Sequence, residues 1–543
     1  MIRFGSRGSD LALYQSRLVA KMLEEATGVR CQIEVIETKG DRILDKPLPE
    51  IGGKGLFTAE LEDALRNGSI DVAVHSMKDL PVEDPDGLTL GAVPERVNPA
   101  DVLIYDPAWA DPTQPDLPLR QGCVIGTSSH RRRGALERLR PDLQFRDIRG
   151  NVPTRVDKVR RGDYGAAVFA AAGIDRLELS LDGLLRFDLP VTVCTPAPSQ
   201  GALAVQCRND DHRVLDLLGK LHDKAAALCA DTERDVLQRL GGGCSMPLGV
   251  LVTNGSNQYR LQAAFYSNPE HGTDRAAGLF LDLTGEAPQQ LAERVAAAWQ
   301  PLINAPLRDQ EVVLLRPEGH GSDLEAALTI AGARTRNVPL TQTTPVEGVR
   351  FDAKDLEDRA LAFTSARAVE LFCKAAAATD LGQLPVFTAG PATAAAARHQ
   401  GMTATCPANG SGGKAVAELL LQTGVPKSGV LFPCAAERHP EFESVLRQAG
   451  HEVTPVPVYR TEMLPDAELV TTAETIVVFT SPSAVRAYLL VARPDALHVA
   501  IGPTTAAAMD QASLRCDAVA TSPTGQALVE CCLQIRNARS HHE

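Results

Sequence analysis

The run HRRRGALERLRPDLQFRDIRGNVPTRVDKVRR, residues 130–161, sets eleven Lys/Arg against four Asp/Glu in a chain whose formal net charge is −13. Long anionic polymers recruit broadly basic surfaces, so a concentrated arginine island on an acidic body points to a compact polyanion. Within it, GTSSHRRR places Thr127, Ser128 and Ser129 at the end of an apolar strand, with Arg131 and Arg132 opening a helix. Free N–H groups and hydroxyls at such a start bind anions. IRGNVPT repeats the arrangement with Arg149 and Arg155, and Pro153 suits a first helical turn. Guanidinium groups grip carboxylates bidentately, each charge-assisted bond contributing about 1.5–3 kcal/mol. The same run also reads as a solvated helix face or a nucleic-acid patch, although few aromatics are interleaved for stacking on single strands.

Two further segments carry reactive groups. HSMKDLP at 75–81 follows the apolar run IDVAV and puts Lys78 and Asp79 near a strand's carboxyl end, where open α/β sheets place ligands. That aspartate could stabilise a cation or shuttle a proton; the alternative is a Lys-Asp surface turn. LGGGCSMPLG at 240–249 sets Cys244 on a glycine-freed loop ended by a proline. A loop favours a reactive thiol, and a buried structural cysteine at a tight turn stays open beside it. GGKGLF at 52–57 lacks the spacing of a Walker motif and reads as a glycine-hinged lid.

The elements that must position these groups form an α/β pattern. CQIEVIE, IDVAVHS, DVLIY, CVIGT and GAAVFAAA read as strands separated by amphipathic segments, one of them a helix near Phe57 to Arg66. Leu11, Tyr14, Leu18 and Met22 recur at helical spacing and predict the core face of the first helix. DPAWADPTQPDLP at 106–118 reads as a surface insertion. INAPLRDQ separates the helical LAERVAAAW from a fresh strand, VVLLRP, and places a join between two modules near residue 307. Beyond it, FTSARAV at 363–369 echoes FTSPSAV at 479–485, and TAGPATAAAA at 388–397 echoes AIGPTTAAAM at 500–509. Two such similar offsets predict two alike α/β halves, each with a strand ending in Thr-Ser and a helix opening at Gly-Pro.

Composition bounds the rest. The 543 residues exceed one core, and domains of about 100–200 residues give about three to five. Hydrophobic residues at 44% and charged residues at 23% fit a water-soluble enzyme, and no apolar run approaches the roughly 18 residues of a membrane helix. The N-terminal MIRFGSRGSDLALYQ lacks a signal-peptide pattern, which leads us to expect a cytoplasmic protein. The twelve cysteines show neither CxxC pairs nor zinc-like spacing, so no metal is expected.

In order, SRGSDLAL, GGKGLF, HSMKDLP, GTSSHRRR, IRGNVPTR, AAGIDRL, PAPSQGAL and GGGCSMPLG resemble hydroxymethylbilane synthase (porphobilinogen deaminase) over residues 1–303. The resemblance implies lobes like type II periplasmic binding proteins, the first over about 1–97 and 195–215 and the second over 98–194. A third, α+β domain over 216–303 would carry Cys244 with a thioether-linked dipyrromethane cofactor. It implies Lys78, Thr127, Ser128, Ser129, Arg131, Arg132, Arg149 and Arg155 as cofactor contacts, Arg7, Ser9 and Arg176 as substrate contacts, and Asp79 as the catalytic carboxylate. Asp79 would assist ammonia loss and stabilise the azafulvenium cation as four porphobilinogens join head to tail. Ala59, Asp10 and Ser199 depart from commoner family text, Ser199 standing where glycine often precedes Gln-Gly-Ala.

After a linker at 304–308, residues 309–543 resemble uroporphyrinogen III synthase through VVLLRP, FTSARAV, GPATAAAA, VYRTE, FTSPSAV, AIGPTTAAA and TSPTGQAL. That implies an α/β domain over 309–343 and 461–543, a second over 344–460, and a substrate cleft between them. Ser365, Thr393, Ser481, Thr504 and Thr505 would face the cleft, and Tyr459 would either help the terminal hydroxyl leave or merely pack the two-stranded connector that joins the two domains. The implied partners are small molecules, porphobilinogen and hydroxymethylbilane, with no nucleic acid or membrane, and a monomer fits. A deaminase with a degenerate C-terminal module and a small-anion sensor are the competing readings.

Overall fold

The computed structural model describes residues 1–38, 58–82, 85–114, 116–243, 246–256, 258–267, 278–303, 306–316, 323–376, 384–407, 412–438, 440–464, 469–491 and 495–540. Cys244 and the glycine segment 52–57 lie outside them. Contacts divide the chain into one unit of Met1–Val312, Gly321–Thr335 and Ala520–Glu543 and another of Val313–His320 and Arg336–Val519.

The first unit opens with β1 (Ile2–Ser6), α1 (Asp10–Thr27), β2 (Cys31–Val35), α2 (Ala59–Arg66), β3 (Val72–Ser76) and β4 (Leu88–Ala92). The chain then crosses to β5 (Asp101–Tyr105), β6 (Val124–Gly126), α3 (His130–Leu139), β7 (Gln144–Arg146), α4 (Val152–Arg160), β8 (Ala166–Ala170), α5 (Ala171–Leu177) and β9 (Leu185–Asp188). It returns as β10 (Leu203–Arg208), which enters the first sheet antiparallel to β3 and β4, giving the order β2-β1-β3-β10-β4. The second sheet has the order β7-β6-β8-β5-β9, with β5 antiparallel to its neighbours. Strands β3, β5, β8 and β10 are buried almost throughout, as their continuous apolar runs require when both faces are covered.

After α6 (His212–Leu218) and α7 (Lys224–Arg239) comes the antiparallel sheet β11 (Leu248–Asn254), β12 (Tyr259–Tyr266) and β13 (Gly278–Gly285), then α8 (Pro288–Ile303).

Two expectations change. In α1 the fully buried face is Gln15, Ser16, Val19, Ala20 and Leu23, while Leu11, Tyr14, Leu18 and Met22 are half-buried. The helix is covered from two sides: one face lies on its own sheet, and another flank packs on α5 of the second. The segment 106–118 is more than a surface insertion, because Leu117 is fully buried in the core of the second sheet and Trp109 packs against it. Its prolines and aspartates hid one apolar anchor.

The two crossings between the sheets meet closely. Gly201 has φ +90°, and a Cβ there would stand 2.6 Å from the carbonyl oxygen of Val97. Ser199 is buried with φ 58°, a left-handed conformation that costs a non-glycine residue about 1–2 kcal/mol. It persists because its N–H donates to Glu233 Oε2 at 2.6 Å.

The chain continues through β14 (Glu311–Leu315), α9 (Asp323–Ile330), β15 (Arg334–Asn337), β16 (Thr341–Pro345), α10 (Ala353–Leu356), β17 (Ala360–Phe363), α11 (Ala366–Ala375), β18 (Val386–Thr388), α12 (Pro391–His399) and β19 (Ala404–Thr405). It then forms α13 (Gly413–Thr423), β20 (Val430–Ala435), α14 (Glu441–Gln448), β21 (Val453–Met463), β22 (Ile476–Phe479), α15 (Pro482–Tyr488), β23 (Leu497–Ala500), α16 (Pro503–Gln511), β24 (Ala518–Val519) and α17 (Gly525–Ser540). The sheets run β15-β14-β22-β23-β24 and β16-β21-β20-β17-β18-β19. The sequence echo is structural: Ser365 caps α11 after β17, Ser481 caps α15 after β22, and Gly390 and Gly502 cap α12 and α16. Helices α9 and α17 cluster with the first unit, where α17 packs on α8, α9 on β13, and Arg536 Nη1 donates to Pro306 O at 2.9 Å.

Replacing Ser199 by glycine should raise stability by about 0.5–1 kcal/mol, the conformational relief exceeding the added freedom of the unfolded chain. Gly201→Ala should lower it. Chemical denaturation of the three proteins checks this, and a destabilised Ser199→Gly would contradict the strain assigned to that residue.

Candidate active site

Strand β3 leads into a single 3-10 turn, Met77–Asp79, whose apolar residue Met77 is fully buried while Asp79 is exposed. The turn thus plugs one side chain into the core and presents the next carboxylate to solvent. Lys78 Nζ donates to Gln200 Oε1 at 3.1 Å. Burial pulls its ammonium down to about 8, Asp79 and Asp101 oppose that fall, and Arg132 and Arg131 deepen it. Lys78, Asp79, Arg131 and Arg132 therefore share one electrostatic neighbourhood. His75, on β3 behind them, is held neutral by burial, its imidazole lowered to about 4, and its Nε2 has no partner among the described residues.

The arginine island divides into two populations. Arg133 pairs with Glu137, Arg140 with Asp142 and Arg160 with Asp157, while Arg138 lies 4.5 Å over the Phe280 ring and Arg146 4.9 Å over Tyr164. Arg133, Arg138, Arg146 and Arg160 are the more solvated face that the sequence left open, whereas Arg140 is largely buried and also donates to the carbonyls of Leu117 and Leu119 at 3.0 Å. The four arginines singled out as ligand contacts behave differently. Arg155 donates to Gly150 O at 2.7 Å, and its guanidinium is lowered to about 10 by burial and by the positive charges of Arg132 and Arg149. Like charges converging in a half-buried place raise the affinity for an anion that would relieve them.

Arg131 and Arg132 are buried and reach Asp101, which is fully buried at the head of β5. Arg131 Nη1 donates to Asp101 Oδ2 at 2.7 Å and to Thr195 O at 2.7 Å; Arg132 Nε and Nη2 donate to Asp101 Oδ1 at 3.0 and 2.7 Å. Burial alone would raise the Asp101 carboxyl, but the two guanidinium groups hold it well below the usual carboxylate range. The hydroxyls around them organise the backbone. Ser129 caps α3 by accepting from Arg132 N, Thr127 Oγ1 accepts from Ser129 N at 3.2 Å, and Ser128 Oγ bonds the backbone of Ile148. Thr127 and Ser129, which accept here, keep an O–H to offer a carboxylate, whereas Ser128 donates its own to Ile148 O at 3.2 Å.

Arg7 and Ser9 lie at the mouth of α1, where Ser9 caps the helix by accepting from Ala12 N. Arg176, on α5, is buried and lowered to about 10 by burial; its Nη2 donates to Gly201 O at 3.0 Å, while its Nε has no partner among the described residues.

Sequence reasoning missed the groups joining these parts. Gln200 receives Lys78 and donates through Nε2 to Asp101 Oδ1 at 2.9 Å, linking β3 to α3. Glu233, fully buried on α7, accepts from Arg96 at 2.7 and 3.0 Å and from the N–H groups of Ser199 and Val252. A charged residue inside an otherwise buried helix face or strand head was the available signal: Asp101 opens DVLIY, and Glu233 interrupts the alanine face of α7.

In the second unit, Tyr459 on β21 lies with its hydroxyl 3.1 Å from Ser365 Oγ, so two expected site residues meet. Ser481 Oγ accepts from Ala484 N and lies 2.8 Å from Ser483 Oγ. Thr393 and Thr505 are buried in the first turns of α12 and α16, and Thr504 is exposed beside Thr505. Arg486 of α15 reaches Glu437, just past β20, at 3.6 Å, joining the loop ends of the two sheets. Hydroxyls and helix N-termini, rather than arginines, dominate here.

No helix among the described residues is long and apolar enough to cross a membrane. Comparison with known proteins matches two separate regions of the chain. Residues 2–216 match the family model of the porphobilinogen deaminase dipyrromethane cofactor binding domain, and residues 322–530 match that of uroporphyrinogen-III synthase HemD. The porphobilinogen deaminase of Brevibacillus brevis is 40% identical over 298 residues, 54% of this chain and 93% of that protein. That of Roseiflexus sp. is 47% identical over 249 residues, 46% of this chain and 80% of the relative. The uroporphyrinogen-III synthetase of Helicobacter pylori aligns with 42% of this chain and 99% of its own, at 18% identity and a TM-score of 0.30. The chain belongs to the porphobilinogen deaminase family, and its residues 322–530 match the uroporphyrinogen-III synthase family model.

Proposed function

We propose that the chain joins four porphobilinogen molecules head to tail with loss of ammonia and then closes the resulting hydroxymethylbilane to uroporphyrinogen III with its last ring inverted. The carrying observation is the convergence of Arg132 and Arg149 on Arg155, whose guanidinium is lowered first by burial and then by those two positive charges. Pyrroles bearing acetate and propionate groups are the compact polyanion such a cluster accepts. The two mixed sheets and their paired crossings support lobes of the type II periplasmic-binding kind, with the growing chain held between them.

The same cluster fits a dipyrromethane cofactor. Cys244 would hold it through a thioether, and Lys78, Arg132, Arg149 and Arg155 would bind its carboxylates with Arg131 fixing the helix behind them. When bound, it supplies the pyrrole carbon to which the first substrate is joined. Asp79 acts on the incoming pyrrole: its exposed carboxylate accepts the pyrrole N–H and stabilises the cation left as ammonia departs. At about 4 Å and an effective dielectric near 20, one carboxylate contributes roughly 4 kcal/mol to such a cation, or on the order of 10³ in rate if realised only in the transition state. Arg7, Ser9 and Arg176 hold the substrate's own carboxylates at the mouth of α1 and the adjoining face of α5.

In the second region, Ser365, Thr393, Ser481, Thr504 and Thr505 supply hydroxyls and helix starts to the substrate's carboxylates. Tyr459, hydrogen-bonded to Ser365, protonates the departing hydroxyl. Holding a reactive linear tetrapyrrole in a folded geometry does the remainder.

The intact mass of the purified protein should exceed its sequence mass by one dipyrromethane, and Cys244→Ser should lack the increment. Incubated with porphobilinogen, the protein should give oxidised uroporphyrin of isomer III; isomer I alone would refute the second activity, and no tetrapyrrole would refute both. Tyr459→Phe should slow isomer III formation about tenfold or more while hydroxymethylbilane accumulates at the normal rate. An unchanged isomer ratio would reduce Tyr459 to packing.

Lys78 gives a pH dependence. Its charge is present below about 8 and is lost as pH rises through that value. Cofactor loading of apoprotein, made in cells that cannot form porphobilinogen, should therefore slow above about pH 8, and Lys78→Arg should remove that decline. Equal profiles in both proteins would place the anion elsewhere.

A further inference from the structure

We infer that Arg234 is a positioning residue for Asp79, an assignment that rests on the catalytic role given to Asp79 above. Arg234 lies on α7 and is 7% exposed. Its Nη1 donates to the carbonyls of Met77 at 3.2 Å and Leu80 at 3.3 Å, and its Nη2 to those of Pro81 and Val82, the latter at 3.1 Å. One planar guanidinium thus gathers carbonyls from both sides of Asp79. Met77 and Leu80, which bracket Lys78 and Asp79, pack in one apolar cluster with Ala227 and Ala230 of the same helix. Ala227, Ala230 and Arg234 recur at three and four residues and present a single face of α7 to the turn.

The carboxylate of Asp79 is exposed and no hydrogen bond holds it among the described residues, so the backbone of the turn sets where it points. That backbone is fixed by α7. The helix is in turn held by the neighbouring Glu233, which accepts from Ser199 N at 2.6 Å and Val252 N at 2.8 Å. A lysine could not replace the arginine, because its ammonium is a single point with three donors and no planar fork. A displacement of about 1 Å at a reacting group costs on the order of 10²-fold in rate.

The test uses the holoenzyme and a double-mutant cycle. Arg234→Lys should retain the dipyrromethane mass increment and a KM within about threefold of wild type, while kcat falls roughly 10- to 100-fold. In an Asp79→Asn background the same substitution should cost little more, because its effect passes through the missing carboxylate. Arg234→Gln, which keeps a planar donor, repeats the cycle if the lysine variant does not fold; collapse of both would make Arg234 a purely structural residue and overturn the proposal. An unchanged kcat, or an equal loss in the Asp79→Asn background, overturns it too. If Asp79→Asn alone turns over like wild type, the role of Asp79 itself fails, an outcome distinguishable from the others because it appears without any change at Arg234.

Discussion

A carboxylate with no exposure to water must be surrounded by donors or give up its charge, and Asp101 is surrounded on every side. Arg131, Arg132, Gln200 and the Cys194 thiol all point at it. Because Asp101 begins the strand by which the chain enters the second sheet, this one charge orients the first turn of α3, anchors the returning crossing and, through Gln200, reaches Lys78 in the first sheet. Taking Asp101 away would leave two buried guanidinium groups uncompensated, a loss of about 3–5 kcal/mol by analogy with other broken buried pairs. The carboxylate fixes the arginines, and the arginines fix the site.

The two regions meet the same chemical class of substrate by different means. The first concentrates cations and partly dries them, so that Lys78 and Arg155 hold their protons less tightly than usual and gain most from an arriving anion. The second places serine and threonine at strand ends and helix starts, where the grip proposed for them would be weaker and more directional. Firm retention suits a region that must keep a growing product through successive additions. A softer hold suits one that binds, folds and releases a single molecule.

Much of the fold was legible because periodicity and apolar runs report burial: the strands and the paired halves with their serine caps appear in the sequence pattern, whereas α9 and α17, which cluster with the first unit, do not follow the join expected near residue 307. The residues proposed to act on anions were visible as local charge anomalies. The supports were not. Glu233 and Arg234 sit in ordinary helical text, and only the tertiary structure shows that they are buried and that Arg96 and the turn bearing Asp79, more than a hundred positions away, are among their partners. Ser199 was visible only as an unusual residue in a familiar place; its positive φ supplies the reason that glycine is frequent there. The mixed α1 face misled because two neighbouring layers cover it, and a single-stripe reading admits one.

Helix α7 holds the turn bearing Asp79, and the chain leaving its carboxyl end runs into the glycines that precede Cys244. On the roles proposed for Asp79 and Cys244, the carboxylate is braced by the same helix whose following residues, in sequence, carry the root of the product. A tethered polymer whose fixed end and growing tip share a support cannot lengthen by reaching farther; each added unit must be stored as slack. Product length would then be limited by how much coil the space between the sheets can hold, a capacity rather than a span.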